Sequence, residues 1–176
     1  MPKPRSLGEV VLNVERLWKH AKRQRILIGI PAEKAGRAPV NDENFTPSNA
    51  QVGYWHEYGV PEANIPARPF LLPGVELAKP VIIAELKLAM ARALEQAVVN
   101  GDVSSAKSKI EKGMHRAGFV GVEYVKARIT AGLSPPLSPR TVYARLHRKK
   151  RRRSGPDMNP LIDSGQLLRS ITYVIR

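Results

Sequence analysis

Apolar residues recur at helical spacing in long runs separated by proline- and glycine-rich punctuation. Val10, Val14, Leu17 and Ala21 share one face, flanked by Val11 and Trp18, which predicts a first helix from about Leu7 to Ala21. Ser6 followed three residues later by Glu9 is the capping-box pattern at its start. Arg25-Ile26-Leu27-Ile28-Gly29-Ile30 is short, β-branched and closed by Pro31, and it reads as a strand. A polar stretch from Pro31 to Pro47 follows. Ser48 or Asn49 then caps a short helix through Tyr58, with Gly59 as the natural residue beyond its end.

The second long run carries Val75, Ile82, Leu86, Ala89, Ala93 and Ala97 on one stripe, widened by Ile83, Met90 and Leu94. It predicts a helix from about Leu72 to Val99, kinked or broken near Lys79 by Pro80. Asn100-Gly101-Asp102 is a tight turn. A third run, about Ser104 to Thr130, places Ile110, Met114, Gly118, Gly121, Val125 and Ile129 together. Two glycines on that face weaken the helix and permit close backbone approach. So short a connection predicts an antiparallel hairpin of the two helices. Ser138-Pro139 pairs an N-cap with proline at the first helical position, for a helix from Arg140 to about His147. Asp163 to Arg169 reads as a capped single turn, and Ile171 to Ile175 as a final strand. The fold class predicted is α+β: a small antiparallel sheet packed with a long helical hairpin, in a single domain spanning 1–176. Residues 31–47 and 132–160 are expected as mobile loops ordered on assembly.

Charge changes this picture. Lys plus Arg number 29 against 15 Asp plus Glu, a formal charge of +14. That balance points to an acidic protein surface, nucleic acid or an anionic membrane as partner, and says nothing of fold. The chain has no cysteine, which removes disulfides, thiolate metal sites and thiol nucleophiles. His20, His56, His115 and His147 are scattered, with no i, i+4 pair to hold zinc. No phosphate-binding glycine loop, nucleophile elbow or acidic metal cluster is present. No cofactor, metal or enzymatic activity is expected. The N-terminal stretch is interrupted by Glu9, Asn13, Glu15 and Arg16, unlike a signal peptide, and no apolar window is long enough to span a bilayer. A soluble protein made in the cytoplasm, without a membrane partner, is the expectation.

Two segments remain as candidate contact surfaces. In Asn64-Ile65-Pro66-Ala67-Arg68-Pro69-Phe70-Leu71-Leu72-Pro73, three prolines fix φ and push their predecessors toward extended geometry. The result is a stiff arm that is either a rigid connector or an anchor presenting Arg68 and Phe70 to a neighbouring subunit. Upstream lie Tyr54, Trp55, Glu57 and Tyr58, of which Tyr54, Trp55 and Glu57 join Arg68 and Phe70 as candidate subunit contacts. Core packing is the expected role of Trp55 and Tyr58, and Arg68 is the nearest candidate partner for Glu57. The second segment is the basic run Arg145, Arg148, Lys149, Lys150, Arg151, Arg152, Arg153. It is either a solvated loop, a contact for DNA phosphates, or an electrostatic docking site for an acidic ring of protein. No aromatic residue interleaves with it to stack bases, which favours the protein partner.

Three of these stretches together carry a resemblance. Asn49-Ala50-Gln51-Val52-Gly53-Tyr54-Trp55-His56-Glu57-Tyr58-Gly59 is similar to an A-x-Y-W-E-[FY]-G segment of tailed-bacteriophage tail-completion proteins. Ile65-Pro66-Ala67-Arg68-Pro69-Phe70-Leu71 resembles the I-P-A-R-P-F-L segment that follows it there. Pro160 to Ile171 resembles the C-terminal P-L-[IV]-D-T-G-x-L-x-x-S-I signature, with Ser164 where Thr is usual; His56 is likewise an insertion between Trp55 and Glu57. Order and spacing also match. The resemblance, to virion-morphogenesis and neck proteins of Mu-like and related phages, implies an α+β subunit assembled into a ring, commonly a hexamer, at the head-proximal end of the tail. Such a ring ends tail-tube growth and joins the tail to the head connector. It implies tail-tube protein, connector or neck proteins and further copies of this chain as partners, and a place in the virion after assembly in the host cytoplasm. The rival reading is a basic DNA-binding protein acting through Arg145 to Arg153, with non-specific DNA contact as a weaker form of it.

Overall fold

A computed structural model describes residues 6–37, 46–147 and 158–176. The chain is α+β: long helices pack against a two-stranded antiparallel sheet. In chain order the elements are α1 (Leu7–Arg23), β1 (Ile26–Gly29), a 3-10 turn (Ala32–Lys34), α2 (Asn49–Tyr58), a 3-10 turn (Pro61–Ala63) and α3 (Leu71–Glu95). A π-helical turn (Gln96–Asn100), α4 (Val103–Thr130), α5 (Pro139–Leu146), α6 (Gln166–Ser170) and β2 (Thr172–Ile175) complete it. These elements form two compact units, one of residues 1–28, 78–121 and 173–176, the other of 29–77 and 122–172.

The first unit is a helical hairpin with the sheet against it. Ser6 Oγ accepts from Glu9 N while the Glu9 carboxylate accepts from Ser6 N, so the expected capping box starts α1. Leu17 is its one fully buried side chain, packed with Ala93, Ala97, Ala106, Ile110 and Met114. Val11 and Trp18 are exposed. Pro80 does not break α3; it stands on the solvent side, where losing one backbone bond is least costly. Gly101 takes the left-handed conformation (φ 63°) at the turn, and Asp102 Oδ1 accepts from Ser105 N at the start of α4. Arg25 and Arg176 exchange both backbone hydrogen bonds at the end of the antiparallel pair. The glycines of α4 have separate partners. A Cβ on Gly113 would collide with the Ala89 methyl of α3, on Gly118 with the Tyr173 ring, and on Gly121 with Ile28. The close approach at 118 is therefore to the sheet, that at 121 is to the sheet and to Ile82 of α3, and that at 113 is to α3.

The second unit gathers α2, the proline arm, α5, α6, the first two turns of α3 and the last turns of α4. Gly74 of α3 abuts Val125 of α4, where an added Cβ would lie 2.8 Å from the Val125 Cα. Regular structure falls within each stretch expected to be a mobile loop. Residues 32–34 form a turn whose following carbonyl, Ala35 O, accepts from Asn49 N, and α5 occupies 139–146 with Ser138 Oγ accepting from Thr141 N. Residues 38–45 and 148–157 lie outside the described residues.

Candidate functional site

The three motif-bearing stretches fold onto one another within the second unit. Ser48 opens α2 with a capping box to Gln51. Asn49, 3% exposed, donates to Lys34 O and Gly36 O and so fixes the preceding turn to the helix. At Gly53 the helix meets Ile30, Leu167 and Phe70, with the Ile30 Cδ1 only 3.0 Å from where a Cβ would sit. Gly59 ends the helix at φ 78°, and a side chain there would meet Ala67 N at 2.9 Å, so conformation and space both require glycine. Val60 and Ile65 then bond across a tight turn, with Asn64 left-handed at φ 52°.

The arm is anchored inward. Arg68, 6% exposed, donates from Nε to Pro135 O (2.6 Å) and from a terminal nitrogen to Pro136 O (2.9 Å). Burial, and then the charge of Arg145, lower its pKa from the usual value. Phe70 is 2% exposed and belongs to the core. Glu57 does not pair with Arg68. Its carboxylate accepts from Phe70 N (2.8 Å), Leu71 N (2.9 Å) and Leu72 N (2.9 Å), satisfying the donors at the start of α3. Arg68, Phe70 and Glu57 therefore hold the subunit's own fold, because the arm folds back onto α2 and the 135–136 carbonyls instead of extending away. Trp55 is half-buried and not among the fully buried core side chains, and Tyr58, expected in the core, is 60% exposed. Tyr54 and Tyr58, one helical turn apart with ring centroids 4.8 Å apart, are the outward aromatic pair.

Arg145 is also committed inward. It is buried, donates to Asn159 O and Ile162 O (both 3.0 Å), and lies 4.0 Å from the Asp163 carboxylate. It pins the 159–163 turn and is no part of a solvated docking strip. Asn159 in turn donates to Ile129 O and Thr130 O at the end of α4. Arg148, Lys149, Lys150, Arg151, Arg152 and Arg153 lie outside the described residues.

Two recesses result. An apolar groove of about 290 Å³ is floored by Ile30, Gly53, Phe70 and Ile171 and bordered by the exposed Tyr54, Tyr58 and Leu72. A smaller polar pocket of about 110 Å³ is lined by Arg37, His56, Arg145, Asp163 and Ser164 among others. The first can seat an apolar side chain of a partner; the second is charged. His56 has its pKa lowered to about 4 by burial first, then by the charges of Arg68 and Arg37. Among the described residues, no group of His, Asp and Glu is arranged to hold a metal ion, and no helix is long and apolar enough to cross a membrane. Sequence reasoning missed the Glu57 cap, the Asn49 clamp and the polar pocket, whose members come from distant stretches of chain. Comparison with protein-family models, with curated proteins and with solved structures found no match.

Proposed function

We propose that this protein is a structural subunit of a tailed-phage virion, forming a ring at the head-proximal end of the tail that terminates the tube and joins it to the head connector. The observation that carries the reading is the ordered trio of segments at 49–59, 65–71 and 160–171. The residues that make those segments distinctive have defined jobs in one unit: Glu57 caps α3, Gly59 turns the chain, Arg68 clamps two carbonyls, and Phe70 and Leu167 meet at Gly53. What that scaffold presents outward is the tyrosine-bordered apolar groove, a surface of the type that anchors subunit contacts. Copies of this chain, tail-tube protein and connector or neck proteins are the partners, and no catalytic step is assigned.

The mechanism is geometric. A positively charged monomer meets the end of the tail tube, and its neighbours assemble beside it on that template. Mutual repulsion between copies carrying +14 each opposes ring closure in free solution, so assembly waits for the tail end. Negative-stain images of tails assembled with and without the protein test the reading: overlong or headless tails are expected without it. Normal tails joined to heads in its absence would overturn the proposal, as would sequence-specific, sub-micromolar binding of duplex DNA at physiological salt.

A further inference from the structure

The polar pocket of the second unit takes no part in the proposed ring contacts. Its charged walls come from four separate stretches: Arg37 after the first 3-10 turn, His56 on α2, Arg145 on α5, and Asp163 with Ser164 before α6. Two guanidinium charges face one carboxylate, so with a neutral imidazole the lining carries a net charge of 2 − 1 = +1. Arg68 adds to the positive potential at His56. Asp163 lies beside Arg145, at 4.0 Å, and offsets part of that residue's charge. Among the described residues Arg37 has one long side-chain hydrogen bond, to Asn49 Oδ1 at 3.5 Å, and it is half-buried. Ser164 Oγ accepts from Gln166 N and keeps its own proton to donate. His56 Nδ1 is buried with no hydrogen-bond partner among the described residues. A buried polar atom left in that state is costly.

We propose that this pocket is an oxyanion site for one phosphate-type group. Guanidinium, hydroxyl and imidazole donors from different stretches suit a tetrahedral anion better than a planar one. The size sets the limit. A water needs roughly 10–15 Å³ of such space, so about 110 Å³ takes one compact anion and excludes a nucleoside. Burial first, and then the charges of Arg68 and Arg37, keep His56 neutral; those charges are what an anion would meet, and a bound anion would in turn favour the imidazolium. The proposal does not depend on a role in the phage tail.

The test uses the full chain labelled with ¹⁵N, titrated with inorganic phosphate at about pH 6, near the ordinary histidine pKa, with sodium chloride at matched ionic strength as reference. The four histidines report separately. His56 ring signals are expected to shift saturably, with the titration midpoint of His56 moving upward from about 4. His20, His115 and His147 stay in place; His147 adjoins the basic run and so registers generic anion binding. Acetate in a parallel titration binds more weakly. Arg37→Gln weakens phosphate binding by about tenfold, the size of one lost charged hydrogen bond. Should that variant unfold, Ser164→Ala is the second, expected to weaken binding by a smaller factor. Shifts at His56 that are linear, that track His147, or that chloride reproduces would overturn the site. Acetate binding as tight as phosphate would overturn the assignment of the anion.

Discussion

Replacing Glu57 is the sharpest perturbation of the second unit, because one carboxylate there accepts three consecutive backbone donors. Phe70 N lies wholly inside the protein, whereas Leu71 N and Leu72 N are partly accessible. A buried donor stripped of its acceptor costs about 1–3 kcal/mol, and a part-solvated one less. An anion at a helix N-terminus adds roughly 0.3–1 kcal/mol, more when partly buried. Glu57→Ala should therefore lose about 3–5 kcal/mol. Glu57→Gln keeps one acceptor oxygen but turns an amide donor toward other donors, and should lose about 2–3 kcal/mol. Either is a large fraction of the roughly 5–15 kcal/mol that holds a domain. Urea unfolding followed by Trp55 fluorescence, in a Trp18→Phe background, reads this unit alone, since the two tryptophans sit in different units. Both variants falling within about 0.5 kcal/mol of the parent, the ordinary surface-substitution range, would refute the capping argument.

Gly113→Ala should destabilise the first unit by about 1–2 kcal/mol, because overpacking against Ala89 outweighs the helix-propensity gain of roughly 1 kcal/mol; Gly8→Ala, with open space around its Cβ, should stabilise. Trp18 fluorescence in urea, in a Trp55→Phe background, distinguishes the signs. His56 binds a proton near pH 6.5 when unfolded but only near pH 4 when folded, so its contribution is fully present above about 6.5 and is lost as pH falls toward 4. The loss amounts to about 3 kcal/mol at most, and His56→Gln should remove that part of the stability–pH curve. The double variant Tyr54→Ser with Tyr58→Ser should change stability little, both rings being exposed, yet should abolish tail completion in a complementation assay.

The helices were legible from periodicity and capping. Ser6–Glu9, Ser48–Gln51 and Ser138–Pro139 are local signals, and each marks a helix start in the structure. Gly59 and Gly101 likewise stand at positive φ where the punctuation placed them. Contacts between distant stretches were not legible. The sequence leaves Arg68 and Phe70 open between a rigid connector and a subunit anchor, because it shows a stiff arm but not the carbonyls at 135 and 136 that Arg68 clamps. Arg145 reads as the head of a solvated basic run, since nothing local reveals the carbonyls of Asn159 and Ile162 waiting for it. Glu57, a candidate subunit contact, is buried, and Tyr58, expected in the core, is exposed, for one reason: which face of a ten-residue helix is buried depends on what packs there, and α2 has too weak an apolar stripe to declare it.

Cryo-electron microscopy of assembled tails, with this chain located by antibody, tests the central claim most directly. The account predicts a closed ring of copies at the head-proximal end of the tube, with the Tyr54–Tyr58 face against a neighbouring subunit. Particles that carry normal necks and contain no copy of the chain would contradict it.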